Sequence, residues 1–210
     1  MMHLFDFLFP PRADEATLRS VSDDEFLAKA APRLVPETRP STVALLSFGE
    51  ESVRAAIHEA KYHGSARAFR LLGFVLADYL RDADDLRATR FNLVALVPVP
   101  LGKQRLKERG FNQVEEVAKR VVRELKIKIE TDLLVRTRET TSQISLPRHE
   151  REKNMRGAFL VPQDAARFID PAGTYIVIDD VLTTGATLQA CIDALKDAGA
   201  EHIIPLALAH

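Results

Sequence analysis

The chain has 210 residues, 29 basic and 30 acidic side chains, a formal net charge of −1, one cysteine and no tryptophan. That length suits one domain with a sizeable core. The near-neutral balance excludes a global field for nucleic acid or membrane, so any such binding must come from a local patch. A single cysteine excludes an internal disulfide and a cysteine-based zinc site, and it fits a reducing, cytoplasmic compartment.

The opening run, MMHLFDFLFPP, is apolar but has no basic flank, carries Asp6 and stops at two prolines. It reads as a short amphipathic docking segment, not a signal peptide. No apolar run approaches the roughly 20 residues of a membrane span, so no membrane insertion is expected. Pro32, Pro36 and Pro40 punctuate the next stretch, with a short helix expected over 24–31. Residues 1–40 therefore read as an N-terminal appendage to a principal domain over 41–210.

From 41 onward the pattern sharpens. A strand is expected over 43–48, a helix over 50–63 with Val53, Ala56, Ile57 and Ala60 on one face, and a well-covered helix over 67–79. The continuous apolar run 93–97 suits a central parallel strand. A helix follows with Val114, Val117, Ala118, Val121, Val122 and Leu125 on one face, then strands at 127–135 and 158–161. The Tyr175 strand, a helix to about Ala198 and a last strand over 203–208 complete an α/β parallel sheet. On the last helix Leu188, Cys191, Ile192 and Leu195 share one face, which makes the thiol a small core hydrophobe.

The segment TYIVIDDVLTTGATL, 174–188, carries the most chemistry. A buried strand delivers two carboxylates, Asp179 and Asp180, to its carboxyl end, where ligands of such sheets sit. Thr183, Thr184, Gly185, Ala186 and Thr187 then form a hydroxyl-rich turn that opens a helix. Vicinal ribose hydroxyls can donate to the two acids. A phosphate can accept from the hydroxyls and from backbone N–H groups at the positive end of the helix dipole. A strand–loop–helix turn in which Asp and Thr only cap the helix is the plainer reading, but it does not account for the whole order of residues.

Two further stretches gather around this loop. After the prolines of VPVPLGKQRLKERGFNQ come Lys103, Arg105, Lys107 and Arg109 at alternate positions. Gly110 breaks the run, and Asn112 is a candidate helix N-cap. Pyrophosphate demands such cations, although the run alone would also suit a solvated loop. The polar segment 136–159 is too long for a simple connection and reads as a lid, or a charged surface helix, with Gln143, Arg148, Arg151, Asn154 and Arg156.

The 174–188 segment resembles the phosphoribosyl pyrophosphate (PRPP) loop of type I phosphoribosyltransferases. Together with IHEAKY at 57–62, VPVP at 97–100, RGFNQ at 109–113, Gln143, Glu150, Arg151, Asn154 and GAF at 157–159, it is similar to the ComF family of competence proteins over about 45–210. The lid is more loosely similar to the flexible loop of glutamine amidophosphoribosyltransferases. ComF proteins usually begin with a four-cysteine zinc ribbon. Here no cysteine follows LFP at 8–10 within residues 1–40, so no zinc is expected and 1–40 reads as a degenerate ribbon region.

The resemblance implies a type I phosphoribosyltransferase-like sheet and PRPP bound with Mg²⁺, the metal being held by PRPP and water without direct protein ligands. It places the ribose hydroxyls on Asp179 and Asp180, the 5′-phosphate on 183–187, and the pyrophosphate beside Lys103, Arg105 and Arg109, with Arg151 reaching in from the lid. One reading is an enzyme that transfers phosphoribosyl to an unidentified nitrogen acceptor, a nucleobase or an amine. The other is a non-catalytic module of DNA uptake that binds PRPP, a nucleotide, single-stranded DNA or competence proteins. Phe111 and Tyr62 are the aromatics available to stack bases. Neither the acceptor nor self-association is legible in the sequence, and a homo-oligomer stays open.

Overall fold

The computed structural model describes residues 12–82, 94–125, 127–138, 155 and 157–210. In chain order these form α1 (Ala13–Ser20), α2 (Asp23–Leu27), β1 (Arg33–Val35), β2 (Thr42–Leu46), α3 (Glu51–His63), α4 (Ala66–Asp82), β3 (Val94–Pro98) and α5 (Lys103–Arg109). Then come α6 (Gln113–Leu125), β4 (Lys128–Ile129), β5 (Val135–Arg136), β6 (Phe159–Leu160), α7 (Gln163–Ala166), β7 (Thr174–Val181), α8 (Ala186–Asp197) and β8 (His202–Ala209).

Six strands make one sheet in the order β1-β2-β8-β7-β3-β4. All neighbours are parallel except β1, which runs antiparallel to β2. The central strands are apolar on both sides because helices cover both faces. On one face Leu96, Ile176, Ile178, Leu206 and Leu208 pack with residues of α3, α4 and α6. On the other, Ala95, Val97, Tyr175, Val177 and Ala207 pack with Leu188, Cys191 and Leu195 of α8. Adjacent strands β3 and β7 thus send their following helices to opposite faces. That divergence opens a crevice at their carboxyl ends, where ligands of open α/β sheets bind.

Several elements depart from the sequence expectation. The strand expected over 127–135 is two short ones, because Glu130 and Asp132 interrupt it and Glu130 N–H bonds the Leu96 carbonyl. The second piece, β5, pairs antiparallel with β6 in a separate ribbon. The short N-terminal helix stops at Leu27, behind a capping box formed by Ser22 and Glu25. The cation run of 103–109 is a helix, α5, ended by Gly110 in the left-handed region. Asn112 does cap α6: its Oδ1 accepts from Val114 N–H, while its amide donates to the Val99 carbonyl at 3.0 Å.

Residues 12–40 pack into the same core as the rest. Leu18 and Phe26 are fully buried in it. Arg12 makes a bidentate pair with buried Glu59 of α3, at 3.0 and 2.8 Å. Strand β1 extends the main sheet. The opening segment 1–11 and most of the expected lid, including Arg151, lie outside the described residues.

Candidate active site

A cavity of about 640 Å³ fills the crevice between β3 and β7. Its floor is the end of β7 and the turn after it: Asp179, Asp180, Thr183, Gly185, Ala186 and Thr187. Helix α8 starts at Ala186, so its first-turn N–H groups, which lack intrahelical partners, point toward this end. Thr184 faces away from the lining. Its carbonyl takes a 3.4 Å bond from Arg39 N–H, and its hydroxyl accepts from Ala186 N–H. Gly185 sits at φ +82°, and a Cβ there would come within 2.7 Å of the Arg39 carbonyl oxygen. Glycine is therefore required twice, by backbone conformation and by the close approach of the N-terminal segment.

The two acids occupy opposite sheet faces, as consecutive strand residues must. Asp180 points toward α3 and α6. Its Oδ1 pairs with Lys61 Nζ at 3.0 Å, and its Oδ2 accepts from the Gln113 amide. It is 6% exposed. Asp179 faces the α8 side, half-buried at the cavity edge, where one oxygen accepts from Asp180 N–H at 2.9 Å. Burial and then the negative charge of Asp180 push its carboxyl up to about 7, against the opposing pull of Lys61 and Arg136. Cys191, fully buried nearby, has its thiol pushed well above the usual range, first by burial and then by Asp179. That is an inert thiol and not a nucleophile.

Cations line the rest: Lys61 of α3, Arg105 and Arg109 of α5, and Arg136 of β5. Helical geometry sorts the alternate cations expected from sequence. Arg105 and Arg109 are four apart and share the cavity face, whereas Lys103 and Lys107 lie on the exposed outer face. Of the cations expected beside the pyrophosphate, the structure therefore brings Arg105 and Arg109 to the site and leaves Lys103 off its lining. Phe48, His58 and Tyr62 form an edge-on aromatic ladder on one wall, with centroids 6.4 and 6.0 Å apart. Phe111 instead packs edge-on against Phe69 in the interior.

Lys61, Gln113 and Arg136 were not among the expected site residues, yet the first two leave a signal. Lys61 stands four residues after Ile57, at the end of the apolar stripe of α3. Gln113 heads the stripe of Val117 and Val121 on α6. A polar residue that continues an apolar stripe must find a buried partner, and here both find Asp180.

Comparison with known proteins adds the lineage. The phosphoribosyl transferase domain profile matches residues 114–210, which include the β7–α8 turn. Competence protein F of Haemophilus influenzae is 32% identical over 126 residues, 60% of this chain and 54% of that protein. The chain is thus similar to a ComF competence protein, and its C-terminal part matches the phosphoribosyl transferase domain. The DNA utilization protein YhgH of Escherichia coli is 33% identical over 106 residues, half of the ComF-like chain and 44% of that relative. The matched region thus spans about half the length of these curated relatives. Adenine phosphoribosyltransferase from Leishmania tarentolae overlays 90% of the ComF-like chain and 89% of its own, at 13% identity and a TM-score of 0.39. No helix among the described residues is long and apolar enough to cross a membrane.

Proposed function

We propose that this ComF-like protein binds PRPP with Mg²⁺ and transfers its phosphoribosyl group to a nitrogen acceptor, releasing pyrophosphate. One observation carries the reading: a single cavity joins a ribose-suited acid pair, a phosphate-suited helix start and cations from separate elements. Thr183, Gly185, Ala186 and Thr187 anchor the 5′-phosphate, and the acids accept from the ribose hydroxyls. Arg105, Arg109 and Arg136 face the leaving pyrophosphate. In the transfer, the bond from the anomeric carbon to the pyrophosphate oxygen breaks and that oxygen keeps the electron pair. The acceptor nitrogen bonds the same carbon and gives up a proton. Prepositioned cations stabilise the charge growing on the leaving group.

The residues suit a metal carried by its ligand. Among the described residues no cluster of three or more His, Cys, Asp or Glu forms a cage, and both oxygens of Asp180 are engaged by protein. Mg²⁺ would be held by PRPP oxygens and water, with Asp179 bonding that water, and would supply charge neutralisation of the pyrophosphate.

A second reading has one observation in its favour. Tyr62 is 62% exposed on the aromatic wall, an arrangement suited to stacking a base. On this reading the chain binds PRPP, a nucleotide or single-stranded DNA without turnover and serves DNA uptake, in keeping with its relatives' names. Pyrophosphate release from PRPP and Mg²⁺, screened across nucleobases and amines, tests the first reading. Release that is abolished by Asp180→Ala supports it. PRPP binding without release under any acceptor favours the second.

A further inference from the structure

A continuous chain of contacts links the cation side of the cavity to the ribose side. The Arg109 guanidinium lies 5.3 Å from the Tyr62 ring centroid and donates from Nη1 to Gln113 Oε1 at 2.9 Å. Gln113 Nε2 donates in turn to Asp180 Oδ2, and Asp180 Oδ1 closes on Lys61, the neighbour of Tyr62 in α3. The amide has no freedom to flip in this arrangement. Arginine only donates and an ionised carboxylate only accepts, so the Gln113 oxygen must face Arg109 and its NH₂ must face Asp180. Gln113 is 4% exposed, and its amide is held by these two bonds. Gly64 closes α3 at φ +59°, where a Cβ would press on the Phe111 ring at 3.1 Å, fixing Lys61 and Tyr62 against the α5–α6 junction.

We propose that Gln113 is a positioning residue that couples the two halves of the donor site. The proposal rests on the PRPP reading above. Tyr62 covers one side of the Arg109 guanidinium and Gln113 holds one N–H, which leaves the remaining donors for an anion. An anion on those donors immobilises Arg109. The fixed guanidinium then fixes the Gln113 amide, and the amide holds Asp180 with its remaining lone pairs turned to the cavity. Occupancy by pyrophosphate is thereby transmitted to the acid that grips ribose, across a relay with a donor–acceptor order that cannot be reversed.

The test measures binding of ribose 5-phosphate and of inorganic pyrophosphate separately by calorimetry with Mg²⁺. In the unmodified protein, Arg109→Ala should weaken ribose 5-phosphate at least threefold, although this ligand lacks the pyrophosphate assigned to Arg109. In the Gln113→Leu background, which keeps bulk and removes both bonds, Arg109→Ala should have no further effect on it. If the loss from Arg109→Ala persists there, the coupling idea is overturned. Should Gln113→Leu not fold, Gln113→Glu keeps the bond to Arg109 but opposes Asp180. It should weaken ribose 5-phosphate at least tenfold and pyrophosphate less than threefold; equal losses for both ligands would overturn the relay. Failure of the unmodified protein to bind either ligand would instead sink the PRPP reading.

Discussion

Asp179 and Asp180 are chain neighbours in different electrostatic surroundings. Asp180 has a cation and an amide on its two oxygens, whereas Asp179 lies against the α8 side with its charge opposed by burial and by its neighbour. The difference follows from strand geometry alone, because consecutive side chains face opposite layers and those layers carry different helices. Two identical residues are therefore held differently: Asp180 is fixed by two partners, and the Asp179 carboxyl is raised by burial and by its neighbour.

The largest expected effect removes both charges. Asp179→Asn with Asp180→Asn should weaken PRPP roughly a hundredfold or more, as expected when charged hydrogen-bond acceptors are lost from a buried site, with the circular dichroism spectrum unchanged. Unchanged affinity would refute the site assignment. Next comes the clamp. Lys61→Met leaves Asp180 buried and held only by Gln113, and should cost about 3 kcal/mol of stability in denaturant melts, the scale for breaking a buried pair. A loss near zero would show that Asp180 does not need its cation.

The pH dependence sharpens the contrast. With the Asp179 carboxyl raised to about 7 in the fold, above its unfolded value near 4, the folded state holds a proton that the unfolded state gives up. Stability from this group is full below about pH 4 and falls as pH rises through 7. Asp179→Asn should flatten that decline, while PRPP affinity of the unmodified protein should rise over the same window as the carboxylate forms. The smallest effects belong to α5. Arg105→Ala should weaken pyrophosphate several-fold, but Lys103→Ala on the outer face should change it by less than about twofold, because solvent screens exposed charge.

The fold and the floor of the site were legible because both are written locally. The period of apolar residues marks the central strands and helices, and 174–188 carries its acids, hydroxyls and glycine in one contiguous run. The walls were less so. Lys61, Gln113 and Arg136 come from three distant segments and meet only when α3, α6 and β5 converge on the β7 end. The alternate cations of 103–109 looked equivalent until a helical turn separated them onto two faces. Strand β1 went unseen for a similar reason, since it is three residues long, sits between prolines and depends on pairing with β2.

The contact between Gly185 and the Arg39 backbone joins the beginning of the chain to its most chemical turn. The hydroxyl of buried Thr38, bonded to the Val35 and Pro40 carbonyls, stiffens the 35–40 segment from behind. A trimmed version starting after Pro40 would keep every acid, hydroxyl and arginine of the cavity, yet it would lose the backstop that shapes the cradle. The early segment is thus a mould for the pocket, and anything that grasps or displaces it reaches the cavity floor without entering the cavity.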